Sequence, residues 1–351
     1  MITSTNQTLY HINDVGNKAA LTVYCFGLSF ISLFGNILVL LASIKYRAIK
    51  LDKVSIILIR NIAIADSLYA FLIMTPCGVS LVTDSWPFGD LLCYASTYLQ
   101  YFLALAGINM ICALNIAKLT SLIFPFRARL RSNKTGYTIA VSMWIFSNCF
   151  PLMNMAFGRP VNFDYRSYRC AHPHTDDDVW SWLDPVNSAL FLVFPNLVIM
   201  VSTIILLVYA HKMSSGVNKQ AVITMFVVSM VFIVSYLPVG TYIVAETWII
   251  QASGAMEGDS LFVKTYRAGL FLKFINNSAN AVIYYLTLNS FKKFVNEKVF
   301  CRKADNIGSS IYSSSKTKTV KLRSMSSKKY EKVGDKNQET SSKYSNGEDA
   351  I

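Results

Sequence analysis

Seven apolar stretches punctuate the chain, near residues 20–44, 54–78, 91–123, 137–158, 184–210, 220–249 and 264–288. Each is long enough to cross a ~30 Å hydrocarbon layer as a helix, which takes roughly 20 residues. The third and sixth are the hardest to end, because their apolar pattern runs on into the following connection. The fold class this predicts is an all-α membrane protein, a seven-transmembrane helix bundle. After it, SFKKFVNEKVFC (residues 290–301) sets Phe291, Phe294 and Val295 on one side and lysines on another. That is the pattern of a short amphipathic helix lying along a membrane face. Beyond Cys301 the chain is poor in apolar residues and rich in Ser, Lys, Gly and Asn. Such a segment buries too little surface to fold and is expected to be disordered. The predicted organisation is an N-terminal segment 1–19, a receptor-like bundle 20–289, a juxtamembrane helix 290–301 and a tail 302–351. No internal repeat suggests a transporter built from duplicated halves.

Composition agrees with the pattern. Hydrophobic residues make up 53% of the chain and charged residues 15%, against about 25% charged in soluble proteins. The formal net charge of +13 raises the question of nucleic acid. Its distribution answers it, because Lys and Arg gather in short connections and after Cys301 rather than on one face or among aromatics. Connections 1–2, 3–4 and 5–6 are basic, whereas connection 2–3 holds Asp84 and Asp90 without Lys or Arg. By the positive-inside rule the N-terminus is outside and the tail inside, in a plasma membrane. The opening MITSTNQTLYHINDVGNK has no apolar signal core, so the first helix is expected to act as its own signal. Asn6-Gln7-Thr8 is an outer glycosylation sequon. Sequons at Asn133 and Asn276 fall where topology forbids them. Of seven cysteines, Cys25, Cys77, Cys112 and Cys149 lie in apolar segments, as small core residues would. No catalytic constellation or cofactor motif is present, so no enzyme activity is expected.

Several short motifs occur in a fixed order. They are Gly35-Asn36 in the first segment, NIAIADSLYA around Asp66 in the second and WPFG at Trp86–Gly89. Then come Cys93 opening the third, Trp144 in the fourth, Pro195 in the fifth, Pro238 in the sixth, and Asn280 and Tyr284 in the seventh. Each is weak alone; together the chain resembles a rhodopsin-like (class A) G-protein-coupled receptor over about residues 20–301.

The resemblance implies roles. Asp66 is a carboxylate inside an apolar helix, which costs roughly 2.5–3.5 kcal/mol on insertion scales and marks function by default. Asn36, Asn276, Asn277 and Asn280 are expected around it, as a polar switch or a Na⁺ site. Gly107 stands where the family often supplies a serine ligand, so ion and ion-free switch stay open. Cys93 and Cys170, both on the oxidising side, are expected to pair.

The stretch LNIAKLTSLIFPFR (residues 114–127) departs most from the family. Counting back from Pro125, or forward from Cys93, puts Lys118 where the family has the arginine of its Asp-Arg-Tyr triplet. The triplet here is Ala117-Lys118-Leu119. Lysine keeps the charge and loses the planar five-donor fork. Asn218 stands where an acid often completes the ion pair. Tyr236 replaces the usual tryptophan before Pro238, Ala281 replaces a proline in the seventh helix, and Thr203 replaces a tyrosine partner of Tyr284. Losing the acid unlocks the inactive state; losing the guanidinium weakens the G-protein grip. Two readings follow: a receptor coupling through Lys118 and Tyr284, with Tyr236 and Pro238 as hinge, or an atypical, weakly coupling or scavenging receptor.

The ligand is unidentified. Gln100 occupies the position of the amine receptors' aspartate, which disfavours a simple monoamine. Lys273 invites an opsin reading, yet falls one residue from the opsin lysine, a turn of ~100°. Gln100, Tyr101, Asn187, Tyr242 and Lys273 are expected to face the ligand cleft, with Tyr236 as a further candidate. CAHPHTDDD (residues 170–178) reads as a solvated loop more than a proton or metal sensor. Cys301 is a palmitoylation candidate. Ser/Thr clusters in the tail suit phosphorylation and arrestin. The expected partners are an extracellular ligand, a heterotrimeric G protein, arrestin and membrane lipid.

Overall fold

The computed structural model describes residues 15–45, 49, 51–173, 178–212, 217–245 and 260–301. Asn6, His174, Asp176, Asp177, the Asn218 side chain and the tail clusters lie outside them.

Helix α1 (Val15–Ile44) begins within the polar N-terminal segment, earlier than the apolar pattern suggested. Lys18 in its first turns forms an ion pair with Asp84, which ends the second helix. α2 (Lys53–Thr83) is capped by Asp52, whose carboxylate accepts from the Ser55 N–H at 3.0 Å. Asp84 closes it in the left-handed region, φ +55°, which a short polar side chain tolerates. α3 (Gly89–Ile123) has 35 residues and packs on α2, on α4 (Asn133–Ala156) and on α5. α5 comprises Asp178–Ser188, a π turn Ala189–Val193 and Phe194–Lys212. α6 (Val217–Ala245) packs on α5 and α7 (Ser260–Thr287), and α7 returns to α1. α8 (Asn289–Lys298) buries Phe291, Phe294 and Val295, the face read from sequence.

Two prolines reshape their helices the same way. α2 widens into a π turn, Ala70–Met74, just before Pro76, and α5 does so just before Pro195. A proline lacks an N–H and its ring collides with the carbonyl four residues back. One extra residue per turn relieves both.

Among the described residues six helices are long and apolar enough to cross a membrane: α1 to α6. α7 is as long, but carries Lys264, Arg267 and Lys273. Large apolar side chains such as Phe30, Ile145, Phe194 and Val234 stay exposed on the outside, whereas Asn36, Asp66, Asn109 and Asn115 are buried. This is the inside-out distribution of a chain solvated by lipid. The four apolar-segment cysteines divide accordingly. Cys25 and Cys77 are core residues, Cys112 is half-buried, and Cys149 is exposed on the outer face of α4. The core expectation for Cys149 is thus corrected; its thiol is satisfied by the Ile145 carbonyl.

Between α4 and α5 a hairpin forms, β1 (Asn162–Asp164) antiparallel to β2 (Arg169–Ala171), with Phe163 opposite Cys170. Cys170 is disulfide-bonded to Cys93 at the start of α3, with Cα atoms 5.4 Å apart. The bond ties β2 to α3 over one end of the bundle.

Candidate functional site

At that end a cavity of about 240 Å³ opens among α3, α5, α6, α7 and the hairpin. Gln100, Tyr101, Asn187, Tyr236 and Lys273 line it. Tyr242 does not; it packs on Tyr266, ring centroids 4.1 Å apart, and Tyr266 does. The Gln100 amide donates to the Cys170 carbonyl at 2.9 Å, so the hairpin occupies it. Tyr101 lies parallel to His172, centroids 5.7 Å apart. His172 is half-buried, which corrects the solvated-loop expectation for that residue. Its Nδ1 sits 2.9 Å from the Pro160 carbonyl, which can only accept, so Nδ1 carries the proton. Burial pushes this imidazole down to about 4.

Arginines from the hairpin region complete the site. Arg169, 6% exposed, donates to the Tyr69 hydroxyl at 3.3 Å and lies over the Phe274 ring, 5.7 Å from its centroid. Lys273 extends its ammonium 5.1 Å from the Tyr69 centroid and 5.5 Å from that of Tyr236. Arg159 grips Asp184 with two parallel bonds of 2.8 and 2.6 Å. Sequence reading missed Arg169 and Tyr69. Arg169 adjoins Cys170, so a disulfide holding Cys170 to the bundle carries Arg169 in with it; that was the available signal.

Midway along the bundle, Asn280 donates to Asp66 Oδ2 at 2.7 Å. Asn36 donates instead to the Asn277 carbonyl at 3.0 Å and the Ser32 carbonyl at 2.9 Å. Asn276 is buried nearby in sequence but shows no bond to Asp66 among the described residues. The side-chain oxygens of Asn36 and Asn277 and the Tyr284 hydroxyl are buried without partners. A carboxylate together with orphaned amide oxygens is the donor set a hard cation takes, so the residues fit Na⁺. A Cβ added at Gly107, the family's serine position, would meet open space.

At the opposite end, Lys118 is 7% exposed, and no carboxylate of the described residues lies within ion-pair distance. Three residues earlier, Asn115 and Ser229 exchange hydrogen bonds of 2.8 and 3.0 Å, joining α3 to α6. Thr224 donates to Thr287 at 2.9 Å, joining α6 to α7. Arg131 donates to the Ala117 carbonyl at 3.2 Å and to the Thr120 hydroxyl at 2.6 Å, bracing α3 near its end. None of these four contacts was anticipated. For the Asn115–Ser229 and Thr224–Thr287 contacts, short polar side chains inside apolar helices were the sequence signal, but which ones meet depends on helix rotation. Thr203 turns back to its own Ile199 carbonyl and leaves Tyr284 unpartnered.

The family model for the 7 transmembrane receptor (rhodopsin family) matches residues 35–284. The chain belongs to that family. It is a rhodopsin-like, class A G-protein-coupled receptor, and a multi-pass membrane protein. The receptor's match runs from Gly35 to Tyr284, so Asp66, Lys118 and Pro238 all fall inside it. At the α6 hinge, Tyr236 stacks on Phe232 with centroids 4.4 Å apart. Gly269 of α7 abuts the backbone of Pro238 and Val239: an added Cβ would lie 3.0 Å from the Val239 nitrogen. Gly35 likewise meets Ala281, where an added Cβ would lie 2.8 Å from the alanine's own.

Proposed function

We propose that this receptor transduces an extracellular ligand to heterotrimeric G proteins through movement of α6 about Pro238. The carrying observation is the Asn115–Ser229 clasp beside a buried Lys118. A neutral bridge deeper in the bundle ties together α3 and α6, the two helices that the missing ionic restraint would have joined. Ligand binding in the outer cavity shifts the population toward a packing in which the clasp is broken. α6 then swings outward, and Lys118 and Tyr284 are uncovered for the G protein. Tyr236 couples the two ends: it lines the cavity and sits two residues before Pro238.

In this reading α7 is the seventh crossing, and residues 1–19 lie outside, glycosylated at Asn6. The protein sits in the plasma membrane. Residues 290–301 lie along the inner leaflet, held by Cys301 palmitoylation, and the tail 302–351 recruits arrestin. Asp66, Asn36, Asn276, Asn277 and Asn280 form the polar switch, with Asp66, Asn36 and Asn277 supplying oxygens to Na⁺. The ion, when bound, supplies a positive charge that favours the closed packing.

A second reading rests on the same lysine. Lys118 lacks the planar fork of arginine, so the receptor couples weakly and acts as a scavenger. Nucleotide exchange by purified receptor in lipid nanodiscs, across all Gα classes, separates the two. Exchange above that of empty nanodiscs supports coupling; silence with constitutive internalisation in cells supports scavenging.

A further inference from the structure

We propose that the outer cavity selects a compact organic acid, with its oxyanion between Arg169 and Lys273 and an aromatic or branched body against the apolar wall. The inference rests on the cavity being the ligand site.

Arg159, Arg166, Arg169 and Lys273 line the cavity, and Asp184 is the carboxylate among the lining residues. Asp184 is taken by Arg159, and Arg166 is paired with Asp164 at 3.1 Å. Arg169 and Lys273 have no carboxylate within ion-pair distance among the described residues. Both bear instead on aromatic rings: they share the buried Tyr69, with Phe274 under Arg169 and Tyr236 beside Lys273. Contacts with aromatic faces offset part of the cost of holding two cations away from water. They do not replace a counter-ion, whose absence from a buried site is expensive. An oxyanion supplies it, and a guanidinium fork matches a carboxylate or phosphate edge.

Two further features point the same way. The Asn187 amide nitrogen, on the cavity wall, is a buried donor without a partner. An anionic ligand offers only acceptors and satisfies it. Gln100, at the position where amine receptors place a carboxylate, has given its amide to the Cys170 carbonyl. A cationic ligand would therefore meet the two like charges of Arg169 and Lys273, with Asp184 already held by Arg159. The remaining wall, with Phe150, Phe191, Leu192, Val239 and Leu270, is apolar and takes the body of the molecule.

The test is thermal stabilisation of purified full-length receptor by matched probes. Phenyl-, indolyl- and branched-alkyl carboxylic acids are each compared with their primary amides and with phosphate monoesters of the same body. At least one acid is expected to raise the melting temperature while its amide does not. The phosphate arm decides which oxyanion fits. The shift is expected to vanish in Arg169→Gln and in Lys273→Gln and to return in Lys273→Arg. Lys273 touches the Tyr69 and Tyr236 rings and forms no ion pair with a described carboxylate, so its variants keep the test valid if Arg169→Gln does not fold. The proposal is overturned if no acid stabilises, if amides match acids, or if the shift survives Lys273→Gln. It is also overturned if the response appears only once Asp176, Asp177 and Asp178 are changed to Asn, because the anion is then part of the chain. Nucleotide exchange on the same preparations keeps the two readings apart. A receptor that drives exchange but ignores acids refutes the ligand class alone; one that binds acids and never drives exchange refutes the signalling reading alone.

Discussion

Asn280 reaches across 214 positions of sequence to donate its amide to Asp66 Oδ2 at 2.7 Å. This bond ties the C-terminal half of α7 to the middle of α2. Whatever shifts α7 has to lengthen or remake it. A hydrogen bond contributes about 0.5–1.5 kcal/mol net, and leaving its buried partner unsatisfied costs about 1–3 kcal/mol. Asn280→Ala is therefore expected to lower the melting temperature of the purified receptor, and Asp66→Asn, which keeps an amide pair possible, to lower it less. Equal melting of all three proteins would remove the bond from the account.

The orphaned oxygens beside this pair give a second expectation. Replacing choline with Na⁺ should stabilise the wild-type receptor and leave Asp66→Asn unmoved. Gly107→Ser should enlarge the Na⁺ effect, because a Cβ there meets open space and brings a hydroxyl to the family's ligand position. A Na⁺ response that persists in Asp66→Asn would place the ion elsewhere.

The Asn115–Ser229 clasp predicts that Ser229→Ala raises basal activity. Hydrogen bonds between membrane helices are worth about 0.6 kcal/mol on average and up to about 1.7. Removing one would raise the ratio of open to closed receptor roughly three- to twenty-fold if all of that energy is lost on opening. Basal nucleotide exchange at matched expression measures it. No change, or a fall, would mean that α3 and α6 are not held there.

Gly269 sets the distance between α7 and the Pro238 hinge. Gly269→Ala places a Cβ 3.0 Å from the Val239 nitrogen, and backbone cannot move aside as a flexible side chain can. Overpacking of this kind costs typically about 1–3 kcal/mol. Lower melting is expected together with a changed response to activation. Gly27→Ala, with no atom near its added Cβ, serves as the control.

His172 gives the pH dependence. Its folded-state value is lowered to about 4, below the ordinary histidine range, chiefly by burial. The unfolded chain thus binds more protons than the folded one between those values. Stability is full above the ordinary value, near 6.5, and declines as pH falls towards about 4. His172→Asn is expected to flatten the melting profile over that window. An unchanged profile would assign acid sensitivity to other groups.

Much of this was legible in the sequence, for identifiable reasons. The first six spanning helices and their approximate limits follow from apolar length, since a lipid-spanning helix has few alternatives. The Cys93–Cys170 bond and the family followed from the order of short motifs. The interior polar geometry was less accessible. Asp66 is conspicuous because a carboxylate in lipid is costly, yet which of four asparagines would meet it depends on helix rotation by fractions of a turn. Asn280 does and Asn276 does not. Arg169 was hidden for another reason: in sequence it is one arginine among three in a polar connection. The hairpin and disulfide carry it inward. The Asn115–Ser229 and Arg131–Thr120 contacts pair residues with no signature beyond polarity.

The central claim is that the rewritten triplet still couples. Basal activation of each Gα class, at matched surface expression, tests it in the wild-type chain, in Lys118→Ala and in Ser229→Ala. Activity above mock is expected in the wild type, with a fall to mock in Lys118→Ala and a rise in Ser229→Ala. A silent wild type with Ser229→Ala also silent, alongside a signalling Lys118→Arg, would contradict it: the shell would be intact and the lysine would be what disabled the switch.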